Sequence, residues 1–148
     1  METTLSQTPS VSRRIIFWGA AYDILVTAAF ATPWTAAPLL RFLSHLHTQL
    51  GLAGTALSTV DPVSMIFINF SGTLVVMWGG LRLFRPTLLH GAIDSAGRLA
   101  VALWIFLAVQ AGATTISLPL LAGELVWFAL QVGAIMYALK KLKVKVPQ

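Results

Sequence analysis

The sequence predicts an all-α membrane protein: a four-transmembrane-helix bundle with an amphipathic outer helix between helices 1 and 2. Three observations carry that prediction. The chain is 57% hydrophobic and only 10% charged over 148 residues, whereas a soluble domain usually carries about 25% charged residues. Its apolar residues gather into four runs, each near the ~20 residues a membrane helix needs. Nine of its ten lysines and arginines fall at one set of segment ends, leaving Arg41 alone at the other.

Taken in order, residues 1–12 are small and polar and read as a disordered cytoplasmic tail. Residues 13–140 form one four-helix membrane domain. Its first helix runs from about 15 to 31 and is stopped by Pro33. The stretch SRRIIFWG with AFA at 29–31 has some features of a twin-arginine export signal and its cleavage site. The run is long for a signal and Asp23 interrupts it, so a retained helix is expected. The second helix, about 63–83, is started by Asp61 as cap and Pro62 as first-turn proline. The third, about 95–117, has Asp94 as its expected N-cap. The fourth, about 120–139, opens at SLPLL, with Pro119 near its first turn. Residues 141–148 make a basic cytoplasmic tail.

The first loop does more than connect. In APLLRFLSHLHTQL, Leu39, Leu43, Leu46 and Leu50 recur every three or four residues, and Arg41, His45 and Gln49 lie off that stripe. This is the pattern of a helix, about 38–50, lying on a membrane surface. By the positive-inside rule the basic ends face the cytoplasm, with both termini there, as for a multi-pass membrane protein.

Several function classes lack their residues. There are no cysteines, which removes disulfides, thiolate metal sites and thiol redox relays. His45 and His47 are two residues apart and diverge on a helix, so no metal site is expected. There is no Gly-rich phosphate loop, nucleophile elbow or HExxH. The basic balance belongs to the topology, so no nucleic-acid partner is expected. Nothing in the sequence specifies a cofactor.

The informative residues are the polar ones inside apolar runs. A charged side chain mid-membrane costs about 2.5–3.5 kcal/mol or more, so it tends to face protein or water. Asp23 lies roughly 12 Å in from Ile15, and Gln131 is at a similar depth in the fourth helix. Asn69, Gln110 and Glu124 fall within about 10 Å of the outer ends of their helices. Together they suggest an outward-facing polar cavity, with Asn69, Gln110 and Glu124 above and Asp23 and Gln131 below. In GELVWFALQ, Glu124, Trp127 and Gln131 share one helical stripe, and Tyr22 adjoins Asp23. The expected ligand-binding set is therefore Tyr22, Asp23, Asn69, Gln110, Glu124, Trp127 and Gln131. Asp23 and Glu124 are the acid–base candidates if there is catalysis. A plainer role stands beside each: interhelical glue for Asn69 and Gln110, and a helix-start anchor for Glu124. In LRLFRPTLLHGAIDSAGR, Arg82, Arg85, His90 and Arg98 are expected to form a basic rim for lipid headgroups or an anion. Asp94 and Arg98, one turn apart, can pair.

An arginine shortly before the first helix with a glycine five residues on (Arg14 and Gly19), a long first outer loop and short later loops resemble the DoxX-like small four-helix bacterial membrane proteins. The resemblance implies a four-helix layout. Some members of that group are described as membrane subunits of quinone-linked oxidoreductases, and no catalytic residue is carried over from them.

Three functions follow as alternatives. The first is binding of a small amphipathic or lipid-like, quinone-like molecule in the cavity. The second is a non-catalytic subunit, with a membrane-protein partner or a second copy of the chain covering the polar residues. The third is a small oligomeric proton or ion transporter. Membrane lipid is a partner in all three.

Overall fold

The computed structural model describes residues 8–56 and 60–144, and among these it is helical with no strand beyond one isolated bridge. The helices are α1 (Ser10–Thr27), α2 (Pro33–Gln49), α3 (Pro62–Phe84), α4 (Leu88–Gln110) and α5 (Leu118–Val144). Three segments, Pro62–Phe84, Leu88–Gln110 and Thr115–Leu142, are long and apolar enough to cross a membrane. A fourth span is reached if Ser10–Phe30 is taken with Pro33–Gln49, to which it is bent by 93°.

Each boundary has a local cause. Pro33 starts α2 after Thr32, whose hydroxyl accepts from the Thr35 N–H. At α3, Asp61 accepts from the Val63 and Ser64 N–H groups at 2.9 and 3.0 Å, with Pro62 in the first turn. The start of α4 differs from the sequence reading. Its N-cap is Thr87, whose Oγ1 accepts from the His90 N–H at 3.2 Å, and Asp94 lies nearly two turns inside the helix. That shift carries Asp94 and Arg98 from a helix end into the interior. The first helix also begins earlier, so residues 10–12 of the expected tail are helical, and Ser12 is buried, donating to the Ala134 carbonyl at 2.9 Å. Residues 1–7 of that tail lie outside the described residues, as do 145–148 of the basic one.

The distribution of side chains is inverted relative to a soluble domain. The largest fully buried side chains are Arg82, Ile16, Gln131 and Ser12, while Phe67, Phe70, Met77 and Trp104 stand outward, each more than 60% exposed. An apolar outside and a polar inside match helices solvated by lipid.

Helix α1 is central: it packs against α3, α5 and α4, and α4 packs along α5. At the far end of α1 the chain turns into α2, leaving Leu39, Leu43 and Leu46 half-buried and Arg41, His45 and Gln49 exposed. The segment after α2 is tied to the α4–α5 turn. The Thr55 N–H donates to the Gly112 carbonyl at 2.8 Å, the Thr115 N–H to the Ala53 carbonyl at 3.0 Å, and His47 Nδ1 meets Thr114 Oγ1 at 2.6 Å. Gly54 is required there: its φ is +90°, and a Cβ would collide with the Ala113 carbonyl.

Candidate functional site

The chain has five acidic residues, and three of them meet between the helices. Asp23 of α1, Asp94 of α4 and Glu124 of α5 converge on the guanidinium groups of Arg82 (α3) and Arg98 (α4). None of the five is more than 8% exposed.

Arg98 is the hub. Its Nε donates to Asp94 Oδ2 at 2.8 Å, Nη1 to Glu124 Oε2 at 3.0 Å, and Nη2 to Asp23 Oδ2 at 2.7 Å and the Gly19 carbonyl at 3.2 Å. All three nitrogens are thus used, a geometry that a lysine's single ammonium could not reproduce. Arg82 donates from Nη2 to Asp23 Oδ2. Its Nη1 lies 2.6 Å from Asp94 Oδ2 but without hydrogen-bond alignment, and its buried Nε has no partner among the described residues. We read that Nη1 contact as Coulombic attraction rather than as a hydrogen bond.

Neutral groups complete the site. Gln131 Nε2 donates to Asp94 Oδ2 at 2.7 Å, Trp78 Nε1 to Asp94 Oδ1 at 3.0 Å, and Ser95 Oγ to Gln131 Oε1 at 3.2 Å. Gly19 lets α1 come this close, because a Cβ there would lie 2.8 Å from Gln131 Nε2.

The direction of side chains on a helix explains how an arginine near the end of α3 gets here. Side chains lean toward the N-terminus of their own helix. On α3 that lean carries Arg82 away from the helix end and into the core. On antiparallel α4 it carries Arg98 the opposite way, back over Asp94. The two guanidiniums therefore approach from opposite sides and enclose Asp23 and Asp94.

Of the expected cavity set, Asp23, Glu124 and Gln131 belong to this cluster. Tyr22 and Trp127 pack against each other beside it, their rings tilted by 39° with centroids 5.8 Å apart. Asn69 and Gln110 do not join. Asn69 Nδ2 donates to the Phe30 carbonyl at 2.8 Å, at the α2 end, and Gln110 is exposed at the last residue of α4. The single polar cavity drawn from helix depths does not include these two residues: the helix rotation and partners that decide it were not visible in the sequence.

The expected basic rim divides. Arg85 is exposed and His90 half-buried, its Nδ1 2.6 Å from the Arg85 carbonyl, whereas Arg82 and Arg98 are interior. Reading Asp94 as a cap had placed Arg98 at a surface. The overlooked signal was Thr87 ahead of an apolar run, which makes Arg98 a cation ten residues inside a helix.

The five ionisable groups are three carboxyls and two guanidiniums, so full ionisation would leave one net negative charge. Each of Asp23 and Asp94 faces both arginines, and Glu124 faces only Arg98. Among the described residues no group of three or more His, Asp or Glu could hold a metal ion. No protein-family model, curated protein or solved structure matches the chain.

Proposed function

We propose that this chain is a multi-pass bacterial inner-membrane protein that holds and exchanges a proton at the buried cluster, with Glu124 as the carboxyl that carries it. In this reading α1, α3, α4 and α5 are the four spans, α2 lies along the outer surface, and both ends of the chain face the cytoplasm. The loop charges support that orientation, and the apolar outer surface supports the spans. The DoxX-like likeness is carried forward as a proposal about layout alone.

The observation that supports proton handling is the charge count. Three carboxyls face two guanidiniums inside the helices, where an uncompensated charge is expensive. A proton offsets the excess without needing space of its own. Glu124 has the least cationic compensation, so the proton resides there, toward the outer half of α5. Taking it up or giving it away changes the cluster's net charge by one, and that makes the site able to serve as acid or base.

The inward convergence of Asp23 and Glu124 favours this over a subunit whose polar residues contact partner helices. The aromatic pair Tyr22 and Trp127 beside Glu124 supports a second reading, in which an amphipathic molecule docks there and exchanges the proton.

Infrared difference spectroscopy of proteoliposomes through a pH jump tests the proposal. Wild type is expected to carry a protonated-carboxyl band at neutral pH that disappears in Glu124→Gln. A wild type with no such band, or a band that Glu124→Gln leaves in place, overturns the assignment. A dye trapped inside the same vesicles separates exchange across the membrane from exchange on one side.

A further inference from the structure

At the end opposite α2, the start of α1 and the end of α3 enclose a cleft of about 400 Å3, lined by Ser10, Arg13, Arg14 and Phe17 and by Leu83, Phe84 and Pro86. Its size falls within the roughly 300–1,000 Å3 of small-molecule sites. Arg13 and Arg14 are both exposed. Among the described residues neither has a carboxylate partner: Asp23, Asp94 and Glu124 are committed to the interior cluster, and Asp61 caps the far end of α3. The walls are apolar, and the Phe84 ring is 88% exposed.

The order of these groups along α1 is specific. Phe17 follows Arg13 by four residues and Trp18 follows Arg14 by four, so each guanidinium has an aromatic ring one turn deeper along the helix. Ser10 adds a hydroxyl at the mouth. Cationic groups outermost and apolar rings beneath reproduce the order of a lipid: phosphate first, then glycerol, then acyl chain.

We propose that this cleft seats an anionic phospholipid, its phosphate held by Arg13 and Arg14 and the start of an acyl chain laid against Phe17 and Phe84. The charge complementarity that the sequence located at Arg82, Arg85, His90 and Arg98 moves here, because two of those arginines are consumed inside. The site is separate from the proton cluster and does not depend on it.

Native mass spectrometry tests it, with the purified full chain exposed to equal amounts of phosphatidylglycerol and phosphatidylcholine. The expected result is one phosphatidylglycerol retained per chain, in preference to phosphatidylcholine. Arg13→Gln with Arg14→Gln should weaken retention by about tenfold or more, since each basic residue at a membrane surface contributes to anionic-lipid binding. Lys140→Gln with Lys141→Gln removes the same charge from the same end of the molecule and should leave retention unchanged. Phe84→Ala, which alters no charge, should weaken it too. Equal losses from the two charge pairs would mean a diffuse field and overturn the site. So would equal retention of the two lipids, unchanged binding in Phe84→Ala, or displacement by inorganic phosphate as effective as by short-chain phosphatidylglycerol.

Discussion

At the cluster, five ionisable side chains from α1 and its three packed neighbours converge, with three carboxyls facing two guanidiniums. At the α2 end, neutral groups do the joining: Asn69 reaches the Phe30 carbonyl, Thr73 the Ala31 carbonyl at 3.3 Å, and His47 meets Thr114. The two regions fail differently. Removing one neutral partner forfeits a bond worth about 1 kcal/mol net. Removing one member of a buried charge set leaves the others uncompensated, which costs about 3–5 kcal/mol. The cluster is thus an all-or-none feature, while the α2 end is a sum of small contacts around tight backbone approaches.

The largest expected effect comes from breaking the hub. Arg98→Met should destabilise the protein by about 3–5 kcal/mol in mixed-micelle unfolding, because Asp23, Asp94 and Glu124 all lose a cation. Adding Asp94→Asn should recover part of that loss, since with the proton on Glu124 it returns the cluster's net charge to its starting value. A double variant no more stable than the single one would show that packing, not charge, is what Arg98 provides.

A smaller effect belongs to the α2 end. Gly72 lies so close to the preceding chain turn that a Cβ would sit 2.5 Å from the Phe30 carbonyl carbon and 2.7 Å from the Ala31 nitrogen. Backbone atoms cannot step aside as a side chain can, so Gly72→Ala should cost about 1–3 kcal/mol in the same assay. A neutral result would mean that the turn at residues 28–32 yields freely, and the contrast with the cluster would widen.

The smallest effect is at Asp61. Its carboxyl is held below the usual carboxylate range, chiefly by the Ser64 hydroxyl and then by the backbone N–H groups of Ser64 and Val63. A folded-state value below the unfolded one means the cap contributes fully above the ordinary carboxylate pKa and is lost as pH falls through the lowered one. Amide exchange at Val63 and Ser64 should therefore quicken on acidification in wild type and be pH-insensitive, beyond intrinsic chemistry, in Asp61→Ala. Equal pH profiles would remove the cap.

These regions also differ in how far the sequence revealed them. The spans were legible because apolar runs and prolines are local signals: Asp61 with Pro62 marks the start of α3 in both readings, and the leucine stripe marks α2. Asp23, Glu124 and Gln131 were legible as interior polar residues because their depth follows from counting along a helix. The arginines were not. A cation near a helix end is ordinarily a headgroup anchor, and only the lean of the side chain and the partner across the bundle turn Arg82 inward. Asn69 went astray for the same reason, since its acceptor is a carbonyl 39 residues away. Contacts between helices depend on rotation about each axis, which no single segment specifies.

Asp23 has a further consequence in the order of synthesis. It emerges 59 residues ahead of Arg82 and 75 ahead of Arg98. On the proposed topology, α1 enters the membrane carrying an acid whose cations do not yet exist. The first arrives with the end of α3, the second with α4, and Gln131 and Glu124 close the set only when α5 is delivered. A chain truncated before residue 98 should therefore be degraded faster in a pulse-chase than the full chain, and an equal lifetime would show that the unpaired acid carries no such cost.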